Sequence, residues 1–535
     1  MKTINTSIYD FPQLITGNYV YVDKTAQLYE LAKPGADRIY YLPRPRRFGK
    51  SLMISTLKAL FQGRRELFKG LAIEKTDWDW AKEVYPVIHL DMSNASSSSI
   101  ADFEAKLGKM MKFICEGFGV PYDSEVSAAA NFLALLETLP VRAKEMNEKS
   151  DGRYVLLIDE YDAPIAGLLD SDAGRAELPR MRKALHDFYV VAKAHCGDMR
   201  FLMVTGVSKF AKTSIFSAFN NPKDLTLDAR AADLLGYTHE EMETYFHEHI
   251  QAFADANGLT YEAAFAALLR WYDGYQFSHR RMVEIVNPVS LGNALANKDF
   301  GNYWEATAGS TLIFDALKAK NAAPVDFASE FDVATLDAPD ALAAPTVALL
   351  YQGGYLTIDE RIDGETVLLR IPNHEVRNSL YRGYMSSVLG VDFELDAFAR
   401  TAKKTAKELV ADGLGAKFAA LLKAAFAKIP HEWLDKDEKE VKRYFLAFMV
   451  FARAEVVSEE QHSLGRPDSV VKTEKAIYVV EFKYGRSAEA ALAQCRERHY
   501  ADAYAADGRE VVYVGVNYDP KARTVGEVKV EGAKG

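Results

Sequence analysis

The sequence predicts a multidomain α/β chain whose first part is built on a doubly wound parallel sheet. Three stretches carry that expectation. The apolar run Ile39-Tyr40-Tyr41-Leu42 is followed by a turn holding two prolines, then by Gly49-Lys50-Ser51 and a helix with one apolar face. A second apolar run, residues 154–158, ends in Asp159-Glu160. Far downstream, Asp468 and Glu481-Phe482-Lys483 fall on the two strands of a hairpin.

Strand, loop, Gly-Lys-Ser and helix form the layout of a phosphate-binding loop. The helix N-terminus offers free N–H groups and a positive dipole end to phosphate. Lys50 would reach the β/γ-phosphates of ATP, and the Ser51 hydroxyl would ligate Mg²⁺. The pattern asks for a glycine five residues before Gly49, where this chain has Arg44 followed by Pro45. That proline pushes Arg44 towards extended geometry. On this stretch alone a second reading stands beside the first: an ordinary helix start with a serine near its cap.

With 535 residues the chain has room for two to four domains with full cores. A formal net charge of −10 excludes a global basic field, so any nucleic-acid contact must come from a local groove. Cys115, Cys196 and Cys495 lie far apart and form no CxxC pair, which argues against structural zinc and against a disulfide framework. The N-terminus shows no charged-then-apolar signal segment and no run reaches membrane-spanning length. The expected location is cytoplasmic, with no membrane partner.

In chain order, residues 1–37 include Asn18-Tyr19-Val20-Tyr21-Val22-Asp23-Lys24-Thr25, read either as packing or as a lid over the base of a nucleotide. Residues 87–91 read as a second strand between Pro86 and the serine-rich turn 93–99. A long helical stretch is expected over 101–148. Next, residues 154–160 look like a buried parallel strand. Asp159 would hold Mg²⁺ through water and Glu160 would polarise the attacking water. The bland alternative is a strand ending in a solvated acidic turn, and the pairing with Gly49-Lys50-Ser51 favours nucleotide binding over it. A fourth strand, 201–206, puts Thr205 at its polar end, as a γ-phosphate sensor or as a cap. A fifth covers 224–227. Five strands alternate with helices and one lies between the loop strand and the Asp-Glu strand, favouring a site at the strand C-termini. These elements make up an expected first domain, 1–230.

A middle module, 231–380, begins with helices at 239–257 and 261–272, the latter capped by Asp273-Gly274. The aromatic segment 274–277 reads as core. Strands 356–361 and 366–371 around Asp363-Gly364 signal a hairpin. Helices followed by a hairpin suggest a winged-helix-like module, read here as a packing element rather than a DNA reader. The last region, 381–535, opens with alanine- and lysine-rich helices over 393–428 as a connector, then an amphipathic helix at 436–453.

The hairpin of 467–483 carries a second candidate site. Strand alternation puts Glu481 and Lys483 on one face, with Asp468 able to lie across from them. Two carboxylates suit a hard divalent cation. Lys483 would orient or help deprotonate the metal-bound water that attacks phosphorus, and Glu459 would complete the cage. Glu-x-Lys alone is weak, since charges alternate on any solvated face. An upstream Glu, Gly-Arg-x-Asp and Glu-x-Lys after five apolar residues together favour a catalytic site over a surface pair.

Arg44-Pro45-Arg46-Arg47-Phe48-Gly49-Lys50-Ser51-Leu52, with Tyr21-Val22-Asp23-Lys24-Thr25 ahead of it, closely resembles the bacterial AAA-ATPase-like family. Leu157 to Asp162 and Thr205-Gly206-Val207-Ser208-Lys209-Phe210 fit it too, and an arginine in place of the first loop glycine is that family's pattern. Residues 459–500 resemble the PD-(D/E)XK nuclease domain that usually ends such proteins. Asp468, Glu481 and Lys483 match its core motif, and Gln494 and Tyr500 match positions on its following helix. The resemblance implies a P-loop NTPase joined to a restriction-endonuclease-like α/β domain, with ATP and Mg²⁺ as cofactors, DNA as partner, and a setting in mobile elements or genome defence. Arg46 and Arg47 are candidates for phosphate or subunit contact, and a homo-oligomer is left open. The leading expectation is an ATP-dependent or ATP-gated DNA nuclease. Two others stand: a nucleotide switch whose nuclease-like domain only binds nucleic acid or a partner, and a nuclease whose ATPase binds without turnover.

Overall fold

The computed structural model describes residues 1–168, 171–207, 209, 222–304, 313, 314, 317, 330–338, 345–383, 416–426, 442, 445, 455–458, 467–472, 476–504, 507–522 and 524–532. The chain forms two compact units. One is Met1–Ile313 with Glu330–Ser379, the other Phe314–Ser329 with Leu380–Gly535. Among the described residues no helix is long and apolar enough to cross a membrane.

The first unit is organised on five parallel strands: β1 (Ile39–Pro43), β2 (Val87–Asp91), β3 (Tyr154–Asp159), β4 (Met199–Gly206) and β5 (Lys223–Asp224). Their order is β2-β3-β4-β1-β5, so β4 stands between the strand of the Gly-Lys-Ser loop and the Asp-Glu strand. Every residue of β3 and β4 is buried, as a parallel sheet covered on both faces requires. The register pairs Leu42 with Thr205, Ile158 with Val204 and Asp91 with Asp159, which brings the C-terminal strand ends to one edge.

Around the sheet lie α1 (Phe11–Thr16), α2 (Thr25–Ala32), α3 (Lys50–Phe61), α4 (Ile100–Gly117), α5 (Ala128–Met146), α6 (Ala163–Leu168) and α7 (Asp172–Ala194). The single long helix expected over 101–148 is two. Gly119 at φ +66 and Pro121 break it, and Ser127 accepts from the Ala130 N–H to cap α5. The strand expected over 224–227 stops after Asp224. Its carboxylate accepts from both the Thr226 N–H (2.9 Å) and the Thr226 hydroxyl, curling the chain away from the ladder.

The same unit continues with α8 (His239–Asn257), α9 (Tyr261–Tyr272) and α10 (Pro288–Asn297). A full capping box starts α8: Thr238 and Glu241 satisfy each other's backbone N–H. Phe246, Ile250, Phe253, Leu268, Tyr272 and Leu291 fill a core between these helices. Then come β6 (Phe331–Asp332), α11 (Val333–Leu336), α12 (Thr346–Gln352), β7 (Thr357–Arg361), β8 (Thr366–Arg370) and α13 (His374–Gly383). The strands pair in the order β6-β8-β7, all antiparallel, giving the expected helix-then-hairpin arrangement. Asp359, Glu360, Asp363 and Glu365 stand exposed on that hairpin, which therefore offers phosphate a mostly acidic tip.

The second unit contains α14 (Ala416–Phe426), β9 (Glu455–Ser458), β10 (Ser469–Lys472), β11 (Ala476–Tyr484), α15 (Ala488–Glu497), β12 (Glu510–Asp519) and β13 (Thr524–Gly532). Strand order is β13-β12-β11-β10-β9, antiparallel except for the parallel β11–β12 pair, whose crossover is α15. Val470, Ile477 and Val479 of the sheet pack against Leu492 and Cys495 of that helix. The approach is close. A Cβ on Gly515 of β12 would come within 2.3 Å of the Ala488 carbonyl oxygen.

Candidate active sites

The first site lies where β1 and β3 end. Gly49 caps α3 at φ +91, and no side chain accepts from the first N–H groups of that helix. Arg47 is also left-handed, at φ +70, a conformation that costs a non-glycine residue about 1–2 kcal/mol. The loop borders a cavity of about 1010 Å³, with Arg46, Arg47, Gly49, Lys50, Ser51 and Leu52 on one wall and Glu160 on another. Lys50 is only 3% exposed. Its ammonium donates to the Arg44 and Pro45 carbonyls (3.1 and 3.2 Å) and lies 3.8 Å from Glu160 Oε1.

Glu160 sits at φ +52 at the end of β3, and burial raises its carboxyl above the ordinary range while Lys50 pulls it back. Asp159 is buried beside it, accepting from the Glu160 N–H (3.0 Å) and from the Thr205 hydroxyl. Thr205 is therefore spent on orienting Asp159 from the neighbouring strand, and does not line the cavity as a γ-phosphate sensor would.

Arg44, within the loop stretch expected to bind nucleotide, turns away from the cavity. Its guanidinium is 2% exposed and donates to the backbone carbonyls of Pro43, Thr226, Leu225 and Ala231 at 2.9–3.4 Å, over the Phe277 ring. Burial lowers its pKa to about 10. The residue that replaces a glycine thus braces the loop from behind. Phe48 reaches the cavity wall, but its ring is held edge-on by Tyr275 and Phe277.

The segment before the loop is both anchored and exposed to the cavity. Asp23 accepts from Thr25 and from the Ala72 N–H, while Tyr21, Val22 and Lys24 line the space. Lys24 is held by Glu241 (2.6 Å) and the Asp233 carbonyl. Two residues of the resembling motifs had no role assigned to them from the sequence. Asp162, which lines the cavity, accepts from the Val207 N–H at 3.2 Å through both oxygens. Lys209, fully buried after β4, pairs with Asp224 (2.9 Å) and with Asp337 at the end of α11.

The second site sits on β10 and β11, and here three expected residues come together. Asp468 Oδ2 accepts from the Phe482 N–H (2.8 Å), which locks it across the ladder from Glu481. Glu481 Oε1 accepts from Lys483 Nζ (3.0 Å) and from the Gln494 amide of α15. Glu481 Oε2 is buried with no hydrogen-bond partner among the described residues. Burial and the Asp468 charge push the Glu481 carboxyl up to about 7. Tyr500 is buried below and hydrogen-bonds with Gln494, so both residues expected after the hairpin do reach the site's floor. Glu459 and most of helix 436–453 lie outside the described residues.

A buried acceptor without a donor, beside a second carboxylate, is the donor set a divalent cation needs. Asp468 Oδ1 is meanwhile covered by the ammonium of Lys442 (2.5 Å), a residue that sequence reasoning missed. The signal was faint: Lys442 precedes Phe445 by three residues, and Phe445 packs on Phe482 (4.8 Å), so one helical face carries both.

Residues 5–216 match the family model described as "Predicted AAA-ATPase", and residues 436–528 match the PD-(D/E)XK nuclease superfamily. A curated protein of Azotobacter chroococcum mcd 1, "Uncharacterized protein in vnfD 5'region", is 31% identical over 539 residues, covering 98% of each chain. The chain belongs to the AAA-ATPase-like family. In this AAA-ATPase-like protein both matched regions contain the motifs that predicted them: Lys50 and Asp159 in the first, Asp468, Glu481 and Lys483 in the second. An ATPase-like module and a nuclease-superfamily module thus share one chain.

Proposed function

We propose that the protein binds and hydrolyses ATP at the Lys50 loop and cuts DNA at the Asp468–Glu481–Lys483 site with Mg²⁺. The observation that carries the nuclease reading is Glu481 Oε2, buried and unpartnered among the described residues, with Asp468 on one side and Lys483 on the other. Asp468 and Glu481 would hold the cation, which supplies charge neutralisation at the scissile phosphate and a more acidic water. Lys483 holds Glu481 in place and stands ready to orient that water. Gln494 fixes the same carboxylate from α15, so the geometry does not depend on the cation alone.

At the first site, Lys50 donates to two neutral carbonyls and stands 3.8 Å from Glu160 Oε1, so only a long ion pair has to loosen for it to turn to phosphate. The uncapped N–H groups of α3 face the same cavity wall as Ser51, which would ligate Mg²⁺. Asp159 would steady that ion through water. Glu160 is the group placed to take a proton from the attacking water. Lys209, bridging β4, β5 and α11, supports a relay from the sheet to the winged-helix-like module. Digestion of linear, circular and single-stranded DNA, with and without ATP and Mg²⁺, tests the whole reading. Cleavage by the parent and none by Asp468→Ala supports it. Equal cutting by both removes Asp468 from the catalytic site, and none by the parent favours a nucleotide switch whose second module only binds.

A further inference from the structure

A third cluster, unconnected with either site above, joins α8, α9 and the chain before α10. His239 Nε2 and Asp273 Oδ2 are 2.6 Å apart, and one ligand atom from each of His239, Asp273 and Glu284 falls within 4.8 Å of the others. Asp273 is 5% exposed, yet its Oδ1 has no hydrogen-bond partner among the described residues. A simple His–Asp pair leaves that oxygen stranded, at a cost of about 1–3 kcal/mol. Glu284 gives Oε1 to Arg370 (2.7 Å), which leaves its second oxygen without a described partner.

All three backbones are fixed independently. His239 opens α8 inside the Thr238–Glu241 capping box. The Asp273 N–H donates to Leu269 (3.0 Å), and its carbonyl accepts from the Asn373 amide (2.8 Å). The next residue, Gly274, is at φ +90, with the Pro372 carbonyl where a Cβ would be. Glu284 adjoins the Tyr275–Ile285 bridge, which two backbone hydrogen bonds close. His239 and Glu284 are 41% and 44% exposed, so an ion has a way in.

We propose that His239, Asp273 and Glu284 bind a divalent transition cation of the zinc class, which ties α8 to the end of α9 and to the Tyr275–Ile285 pairing. One imidazole nitrogen and two carboxylates, with water in the fourth position, suit zinc at about 2.0–2.2 Å from each ligand. At those lengths a tetrahedral pair of ligand atoms stands about 3.3 Å apart, so His239 and Asp273 need open only slightly. Where Asp273 meets the ion through both carboxylate oxygens, Oδ1 gains the partner it lacks among the described residues. The cysteine spacing that argues against structural zinc has no bearing on a histidine–carboxylate set.

The test uses the full chain carrying Asp468→Ala and Glu481→Ala, so that the nuclease carboxylates contribute no metal. Zinc alone is added, and bound metal is counted after equilibrium dialysis. One equivalent is expected, together with a rise in melting temperature. His239→Ala and Asp273→Asn should each lose that equivalent. Glu284→Gln, at an exposed position that leaves the fold intact, should weaken zinc binding at least about tenfold. Equal zinc content and equal melting shift in parent and Glu284→Gln overturn the proposal, as does a parent that retains no zinc.

Discussion

Each of the two modules sets a lysine beside a glutamate, and the settings differ. Lys50 leans on two backbone carbonyls and stays 3.8 Å from Glu160, whereas Lys483 bonds Glu481 directly at 3.0 Å. The loop lysine bonds two neutral carbonyls and meets its glutamate only at the length of a long ion pair, which in the proposed reading would leave it available to an incoming anion. The hairpin lysine is committed to its carboxylate and acts through it. In the proposed reading, identical side chains would thus serve as ligand-seeking and as positioning groups, depending on whether mainly the backbone or a charge holds them.

The largest effect expected from that contrast lies on the hairpin. Asp468→Ala or Glu481→Ala should lower DNA cleavage by at least about 10³-fold while ATP turnover stays at the parent level. Lys483→Ala should cost about 10²–10⁴-fold with divalent-metal binding retained, as titration calorimetry would show. Loss of metal binding in Lys483→Ala would end the distinction between the two lysines. On the loop, Glu160→Gln should slow ATP hydrolysis by about 10²–10⁴-fold with normal ATP affinity. Lys50→Ala should instead weaken ATP binding by about 1.5–3 kcal/mol, the worth of a charged hydrogen bond. Calorimetry showing parent affinity in Lys50→Ala would remove the loop assignment. The smallest effect sharpens the account of Arg44. Arg44→Met should destabilise the fold by about 1–3 kcal/mol through its stranded carbonyl partners, measured by denaturant unfolding, and Arg44→Lys should not restore it.

How much of this was legible depended on whether a residue's partner lay in the same local pattern. β1, β3 and the hairpin were readable, because apolar runs ending in polar motifs declare both burial and direction. Glu481 and Lys483 share a strand face by simple alternation, and the structure places them so. Arg44 was not readable, since its four acceptors include Leu225, Thr226 and Ala231, about 180 residues away. Thr205 turned to Asp159 because β4 is the neighbour of β3, and strand order does not show in the chain. The break between α4 and α5 was visible in Gly119 and Pro121, but helical periodicity on both sides hid it.

The Lys442–Asp468 contact has a consequence for substrate capture. With Glu481 ionised, the described cluster holds two ammoniums, Lys442 and Lys483, against two carboxylates. Before metal arrives, such a quartet is electrically balanced and exerts little pull on a phosphodiester. A dication added to it converts the same spot into a local anion trap. Phosphate affinity at the hairpin would then follow metal occupancy, so that under the proposed nuclease reading a nucleic-acid backbone would be drawn in only once the metal is bound.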